Sequence, residues 1–237
     1  MTKVKHIIAM GGGGFTMEPG NPLLDDFVLR QSGQSKPGIC LLPTASGDHE
    51  EYIQGFYDLF LTRRCTPSHL SLYNSPIPQP EAARHLLGQD IIYVSGGHTA
   101  KMLRKWKELG LDNILRAAWH QGIILAGVSA GAACWFEEGL TDSDPERLSR
   151  EECLKFLTGS FCAHFDNSER RPAFYQHIGD GIMKDGIGVD NFAGLHFIGT
   201  EIKQAVTSRP GAGAYYIYRE KSGRIVEKPI DTVYLGI

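Results

Sequence analysis

The sequence predicts an α/β fold: a doubly wound, mostly parallel sheet with antiparallel hairpins near the C-terminus. Up to about residue 136, short apolar runs alternate with segments of helical periodicity, as strands and helices do in such a sheet. Several of these runs end in Gly, Ser or Thr, the residues typical of loops. From Asn191 onward, apolar residues alternate with polar ones and glycine recurs, which favours hairpins.

Taken in order, the first half of the chain predicts five strands separated by helices. The strands cover residues 4–10, 38–43, 69–73, 90–94 and 123–128, and the helices cover 49–63, 81–87, 100–109 and 112–121. Loops at the carboxyl ends of parallel strands lie at one edge of the sheet. We therefore expect Gly11–Gly14, Thr44–Asp48, Ser95–Thr99 and Ser129 to gather there.

The second half predicts shorter and more varied elements. An acidic turn covers residues 137–145, a strand 161–165, a helix 168–184 and a further strand 186–189. Hairpin strands cover 196–198, 214–219 and 232–235, and we expect them to extend or flank the sheet. No composition shift marks a boundary, so we expect a single domain over residues 1–237.

Composition narrows the class of protein. The 237 residues carry a net charge of -3 without a long Lys or Arg run, which makes nucleic acid and anionic membranes poor partners. No apolar stretch approaches the roughly 20 residues that span a bilayer. The five cysteines are scattered and form no CxxC pair, which favours reduced thiols and a cytoplasmic location.

Neither a cofactor nor a metal is expected. Glycine loop 11–14 follows the first strand, but a G-x-G-x-x-G pattern would need glycine where Thr16 or Met17 stands. The simpler interpretation is a loop whose backbone passes close to another part of the protein. The sequence also lacks an H-E-x-x-H motif and a Cys/His cluster.

A Gly-x-Ser-x-Gly pattern at Gly127, Ser129 and Gly131 points to chemistry. It follows an apolar run, and small residues come after it, which predicts a sharp turn from a buried strand into a helix. Such a turn strains the serine backbone and exposes its Oγ beside free N–H groups that can hold an anion. We interpret Ser129 as a nucleophile, the alternative being a glycine-rich turn with a serine cap.

A serine nucleophile needs a base and an acid that orients the base. Of the nine histidines, His98 and His164 lie nearest the predicted sheet edge, and position alone leaves both open. The candidate acids are Asp142 and Asp144, just past the elbow helix, and Asp166, beside His164.

The site also needs two N–H donors for the oxyanion. The N–H group of Ala130 follows the nucleophile directly. The Gly-Gly loop at the end of the neighbouring strand supplies the second donor, which we assign to Gly97 in preference to Gly96.

These motifs resemble one known family. Gly127–Ala132, with Ser95–Thr99 upstream and Ala163–Phe165 downstream, is similar to the serine peptidase family of aspartyl dipeptidase (peptidase E), of which cyanophycinases are distant members. The opening strand with its glycine loop and the segment Leu42–Ser46 resemble that family too. The resemblance extends over most of residues 4–200. It implies a fold of the class I glutamine amidotransferase-like type, with serine in place of cysteine.

The resemblance also implies roles for residues of the site. Ser129 corresponds to the nucleophile and His164 to the base. The family's acid follows the serine within a short acidic turn, where Asp144 fits best and Asp142 is the runner-up.

Substrate contacts are implied in the same way. The family's preference for an N-terminal aspartate is attributed to basic and polar groups downstream of the histidine, where Arg170 and Arg171 lie. A guanidinium fork suits a carboxylate. His98, in the Gly-Gly loop, is a third candidate for substrate contact.

Together these features predict a serine-type peptidase that hydrolyses short peptides, including dipeptides with N-terminal aspartate, through an acyl-enzyme at Ser129. The expected partner is a small peptide, and the chain is expected to be a monomer or a homodimer. The alternatives are an esterase or amidase that uses the same site, and a non-catalytic relative that binds a small molecule.

Overall fold

The computed structural model describes residues 3–75, 77–144 and 146–236, and its strands form two sheets. In chain order the strands are β1 (His6–Met10), β2 (Gly38–Leu42), β3 (Thr66–His69), β4 (Ile91–Val94), β5 (Ile124–Val128), β6 (Glu138–Asp144), β7 (Arg147–Glu152), β8 (Ser160–Cys162), β9 (Gly186–Val189), β10 (Ala193–Ile198), β11 (Glu201–Thr207), β12 (Ala214–Arg219), β13 (Ile225–Ile230) and β14 (Thr232–Tyr234). The helices are α1 (Leu23–Arg30), α2 (Glu50–Phe60), α3 (Gln79–Leu87), α4 (Thr99–Leu109), α5 (Leu111–His120), α6 (Ala130–Ala133) and α7 (Arg170–Gly179).

The larger sheet has eight strands in the order β14-β11-β10-β1-β5-β4-β2-β3. Its strands all run in one direction except β10, which is antiparallel to both β1 and β11. The predicted α/β class with a mostly parallel sheet is confirmed. The carboxyl ends of β1, β5, β4 and β2 meet at one edge, as the order of loops along the chain predicts.

Successive apolar side chains of the central strands point to opposite faces of this sheet, which explains why helices cover both faces. Ile7 and Ala9 of β1 face an apolar cluster built with α3, α4 and α5, whereas Ile8 and Met10 face one built with α1 and α2. Phe56 and Phe60 of helix α2 belong to this second core and Tyr57 packs against it, as their helical spacing predicts, whereas Tyr52 lies outside it.

The smaller sheet has the order β13-β12-β9-β8-β6-β7, in which β6, β8 and β9 are parallel. Phe161 and Val189 from this sheet join the first apolar cluster of the larger sheet. Phe174 and Ile178 of α7 pack against the smaller sheet's other face. None of the described helices is both long and apolar enough to cross a membrane.

Three local expectations were wrong, and one helix was not predicted. The strand predicted at 69–73 is β3 at Thr66–His69, where it pairs with β2, so only His69 of the predicted range lies in the strand. The predicted acidic turn is strand β6, because pairing with β7 and β8 overrides the turn-like composition; Pro145 lies outside the described residues. Helix α1 was missed, although Leu24, Phe27 and Val28 have helical spacing. The strand predicted at 232–235 is β14, which pairs in parallel with β11 and forms no hairpin.

Candidate active site

Ser129 stands at a strained turn between β5 and α6, with φ 56° and ψ -113°. Its N–H donates to Met10 O at 2.9 Å, which fixes the turn to the end of β1. The flanking glycines are required because a Cβ at Gly127 would lie 2.1 Å from Gly131 O, and one at Gly131 would lie 2.4 Å from Val94 O. The turn is the one that the Gly-x-Ser-x-Gly pattern predicts.

His164 reaches this turn from the other sheet, just beyond the end of β8. Its Nε2 lies 2.9 Å from Ser129 Oγ, within hydrogen-bond distance. The His164 N–H donates to Gly11 O at 3.2 Å, so the glycine loop after β1 holds the histidine backbone. The structure brings together the two residues that the sequence pairs as nucleophile and base.

The third member of the site is Asn191, which the sequence analysis did not identify. His164 Nδ1 lies 2.6 Å from Asn191 Oδ1. Asn191 follows β9 at the carboxyl end of a predicted strand, and that position was the only sequence signal available for it. The site is therefore a Ser–His–Asn arrangement built at the ends of β5, β8 and β9.

Backbone strain is concentrated at this site. Among the described residues, five that are not glycine have positive φ, and three of these are Ser129, His164 (φ 50°) and Phe192 (φ 66°), next to Asn191. Such conformations cost about 1–3 kcal/mol each and persist where the surrounding structure enforces them.

The structure does not bring Asp144, the predicted acid, to His164. Asp144 lies at the far end of β6, where it pairs with Arg147 at 3.3 Å and accepts from the Glu146 N–H at 3.0 Å. The prediction assumed a turn that would return the chain to the site, whereas an extended strand carries it away. The runner-up Asp142 pairs with Arg170 at 2.8 Å and does not hydrogen-bond to the histidine.

The electrostatic environment keeps His164 neutral and able to accept a proton. Burial lowers its pKa below the ordinary value of 6.5, and Arg170 lowers it further. The hydrogen bond to Asn191 and the carboxylates of Asp166 and Asp142 oppose this shift. A neutral imidazole at physiological pH is the form that a general base needs.

Gly97 and Ala130, the predicted oxyanion donors, line a small cavity that also exposes Ser129. Among the described residues, neither N–H finds a backbone or side-chain acceptor. Both groups therefore remain available to a negatively charged oxygen beside Ser129 Oγ.

A larger cleft of about 370 Å³ opens on the His164 side. Met17 and Leu148 provide apolar walls, and Glu169 and Asn167 lie at its polar side. The small cavity and the cleft share two lining residues, Asp142 and Arg170.

The three predicted substrate-binding residues have different positions. Arg170 lines both cavities with a side chain only 13% exposed. The structure does not bring Arg171 to either cavity: its guanidinium pairs with Glu227 and lies 4.8 Å from the centre of the Phe165 ring. His98 caps α4, its Nδ1 accepting from the Lys101 N–H at 3.4 Å, and it lines neither cavity.

No group of three or more His, Cys, Asp or Glu residues in the described ranges is arranged to hold a metal ion. The five cysteines are buried and free.

Comparisons with known proteins identify the family. Residues 7–205 match peptidase family S51. The chain is 50% identical over 234 residues to a Bacillus subtilis (strain 168) protein named as peptidase YgaJ, covering 98% of this chain and 100% of that protein.

Two solved structures have a similar fold. A peptidase from an acI-B1 Actinobacterium superposes with a TM-score of 0.69 at 18% identity, covering 97% of this chain and 95% of that one. A peptidase E protein from Listeria monocytogenes EGD-e gives a TM-score of 0.61 at 17% identity, covering 84% and 96%. With the fold and the family in agreement, the chain belongs to peptidase family S51 and is a peptidase.

Proposed function

We propose that this peptidase is of the serine type and cleaves short peptides with a free N-terminus through an acyl-enzyme on Ser129. The observation that carries the proposal is the 2.9 Å contact between Ser129 Oγ and His164 Nε2 at a strained strand-to-helix turn. A serine so placed is positioned to lose its proton to the histidine as it attacks a carbonyl.

The proposed reaction starts from this contact. Ser129 Oγ attacks the scissile carbonyl carbon and its proton passes to His164 Nε2. The carbonyl oxygen becomes negative, and the N–H groups of Gly97 and Ala130 stabilise it. His164 then gives the proton to the leaving amine, and water, deprotonated by the same histidine, hydrolyses the ester and frees Ser129.

The two cavities separate the two halves of the substrate. Because His164 protonates the leaving amine, the cleft beside it accommodates the leaving group. The acyl residue then lies on the side of the oxyanion donors, next to Asp142 and Arg170.

Arg170 and Asp142 border the acyl side with opposite charges. The carboxylate of Asp142 is 67% exposed and suits the α-ammonium group of a peptide N-terminus. The guanidinium of Arg170 suits a side-chain carboxylate, so we extend the proposal to a preference for N-terminal aspartate.

Labelling with a fluorophosphonate probe tests the nucleophile. The wild type should be labelled, and Ser129→Ala and His164→Ala should not. An unlabelled, correctly folded wild type would contradict the proposal and favour a non-catalytic binding protein.

A substrate panel tests the rest of the proposal. Dipeptides with N-terminal Asp, Asn, Ala and Lys should be compared with N-acetylated peptides and simple esters. Free N-terminal peptides should give the highest kcat/KM, with aspartate first. Preference for esters or acetylated peptides would identify an esterase or amidase instead.

A further inference from the structure

The amide of Asn191 is held from behind by a carboxylate. Its Nδ2 lies 3.0 and 3.1 Å from the two carboxylate oxygens of Asp166, and its backbone N–H donates to Asp166 Oδ1 at 2.8 Å. Asp166 is exposed, two residues after His164, and makes no direct hydrogen bond to the imidazole among the described contacts.

This arrangement determines which way the amide points. A carboxylate only accepts hydrogen bonds, so the NH₂ group of Asn191 must face Asp166. The oxygen Oδ1 must then face His164 Nδ1, and an oxygen there requires a proton on Nδ1. With Nδ1 protonated, Nε2 carries the free lone pair that accepts the Ser129 proton.

The proposal that follows rests on the serine-peptidase function above. We infer that Asp166 is a positioning residue of the site, which fixes the amide of Asn191 and through it the reactive tautomer of His164. The site is thus a hydrogen-bonded chain that runs from Ser129 through His164 and Asn191 to Asp166. A neutral amide occupies the place of the acid, and the negative charge lies one residue further out.

The charge of Asp166 also acts on the imidazole across the amide. The charged groups that face His164 are Asp166, Asp142 from β6 and Arg170 from α7. The two carboxylates favour the protonated imidazole and the guanidinium disfavours it. Without the Asp166 carboxylate, the lowering of the His164 pKa by Arg170 is less opposed, and the imidazole titrates at lower pH.

The decisive variant is Asp166→Asn, which keeps the shape and removes the charge. An amide at 166 keeps one acceptor oxygen but puts a donor in place of the second, so the Asn191 amide loses one of its two side-chain hydrogen bonds and is held less firmly. We expect kcat to fall about 10- to 100-fold with KM nearly unchanged, and the acid limb of the kcat profile to move to lower pH. Asp180→Asn, an exposed aspartate after α7, is the matched control and should leave both unchanged.

A rescue variant separates positioning from a structural effect. In Asn191→Asp with Asp166→Asn, a carboxylate contacts His164 Nδ1 directly and should restore most of the lost kcat. Asn191→Asp alone places two carboxylates in contact and should be less active than the double variant.

The tautomer of His164 can be measured without turnover. In ¹⁵N-histidine NMR, with the signal assigned by its loss in His164→Gln, the wild type should show protonated Nδ1. Asp166→Asn should show a mixture of tautomers and a lower titration midpoint. Wild-type tautomer, midpoint and kcat in folded Asp166→Asn would overturn the inference. A wild type that fluorophosphonate does not label would instead contradict the peptidase mechanism, while the NMR comparison would still decide the role of Asp166.

Discussion

Gly12 lies against the contact between His164 and Asn191 and offers a direct test of the site. A Cβ at this position would stand 2.1 Å from Asn191 Oδ1 and 2.9 Å from His164 Nδ1. An ordinary contact between carbon and oxygen needs roughly 3.3 Å, so Gly12→Ala must displace the amide oxygen by about 1 Å. Because the added Cβ lies to one side of the hydrogen bond, that displacement would stretch the 2.6 Å contact to about 3.1 Å and turn the amide oxygen out of line with Nδ1.

The expected cost follows from this displacement. A catalytic group misplaced by about 1 Å loses roughly 100-fold in rate, and overpacking costs about 1–3 kcal/mol of stability. We therefore expect Gly12→Ala to remain folded and to lose at least about 100-fold in kcat/KM and in fluorophosphonate labelling rate.

The assay combines thermal unfolding followed by circular dichroism with labelling kinetics. The matched control is Gly20→Ala, which adds the same methyl group where nothing lies within 4 Å. The reasoning is refuted if folded Gly12→Ala labels within threefold of wild type while Gly20→Ala behaves the same way.

Further predictions concern substrate binding and stability. Arg170→Met should lose more than about tenfold in kcat/KM for N-terminal Asp peptides and little for Ala peptides, and equal losses on both peptides would contradict the proposed role of Arg170. Arg171→Met should lower the melting temperature and leave kcat/KM unchanged. Burial raises the pKa of Asp25 from 3.8 to about 7, so stability falls as pH rises between these values. Asp25→Asn should raise the free energy of unfolding by about 1–3 kcal/mol at pH 8 and hardly change it at pH 3.5, measured by urea denaturation. Burial lowers the pKa of His196 from 6.5 to about 4, so the free energy of unfolding of the wild type should fall by about 1–3 kcal/mol between pH 6.5 and 4. His196→Leu should not show this fall. Parallel plots of unfolding free energy against pH for the two proteins would disprove the prediction.

The elements that the sequence predicted well are those whose signal lies within the element itself. Strand β5 is entirely buried and reads as a continuous apolar run, and the turn at Ser129 follows from the small residues around it. The glycine loop after β1 was expected to pass close to another part of the protein, and it does so at His164 and Asn191. Such features need only short-range sterics and periodicity.

Apart from the missed helix α1, the errors occurred where pairing with other strands decides the structure. Residues 138–144 have the composition of a turn, yet hydrogen bonds to β7 and β8 make them a strand. The extended strand places Asp144 away from the predicted site, where it pairs with Arg147.

The sequence by itself determined the α/β class, the family and the strained serine, and the family resemblance singled out His164 as the histidine that faces it. Only the tertiary structure decided that Asn191 completes the site, with Asp166 behind it, because β8 and β9 pair in parallel and bring residues 27 positions apart into contact. It also separated Arg170 from Arg171, because neighbouring residues on a helix point in different directions. Local propensity is encoded within a few residues, whereas strand register and helix facing are settled only when the whole chain packs.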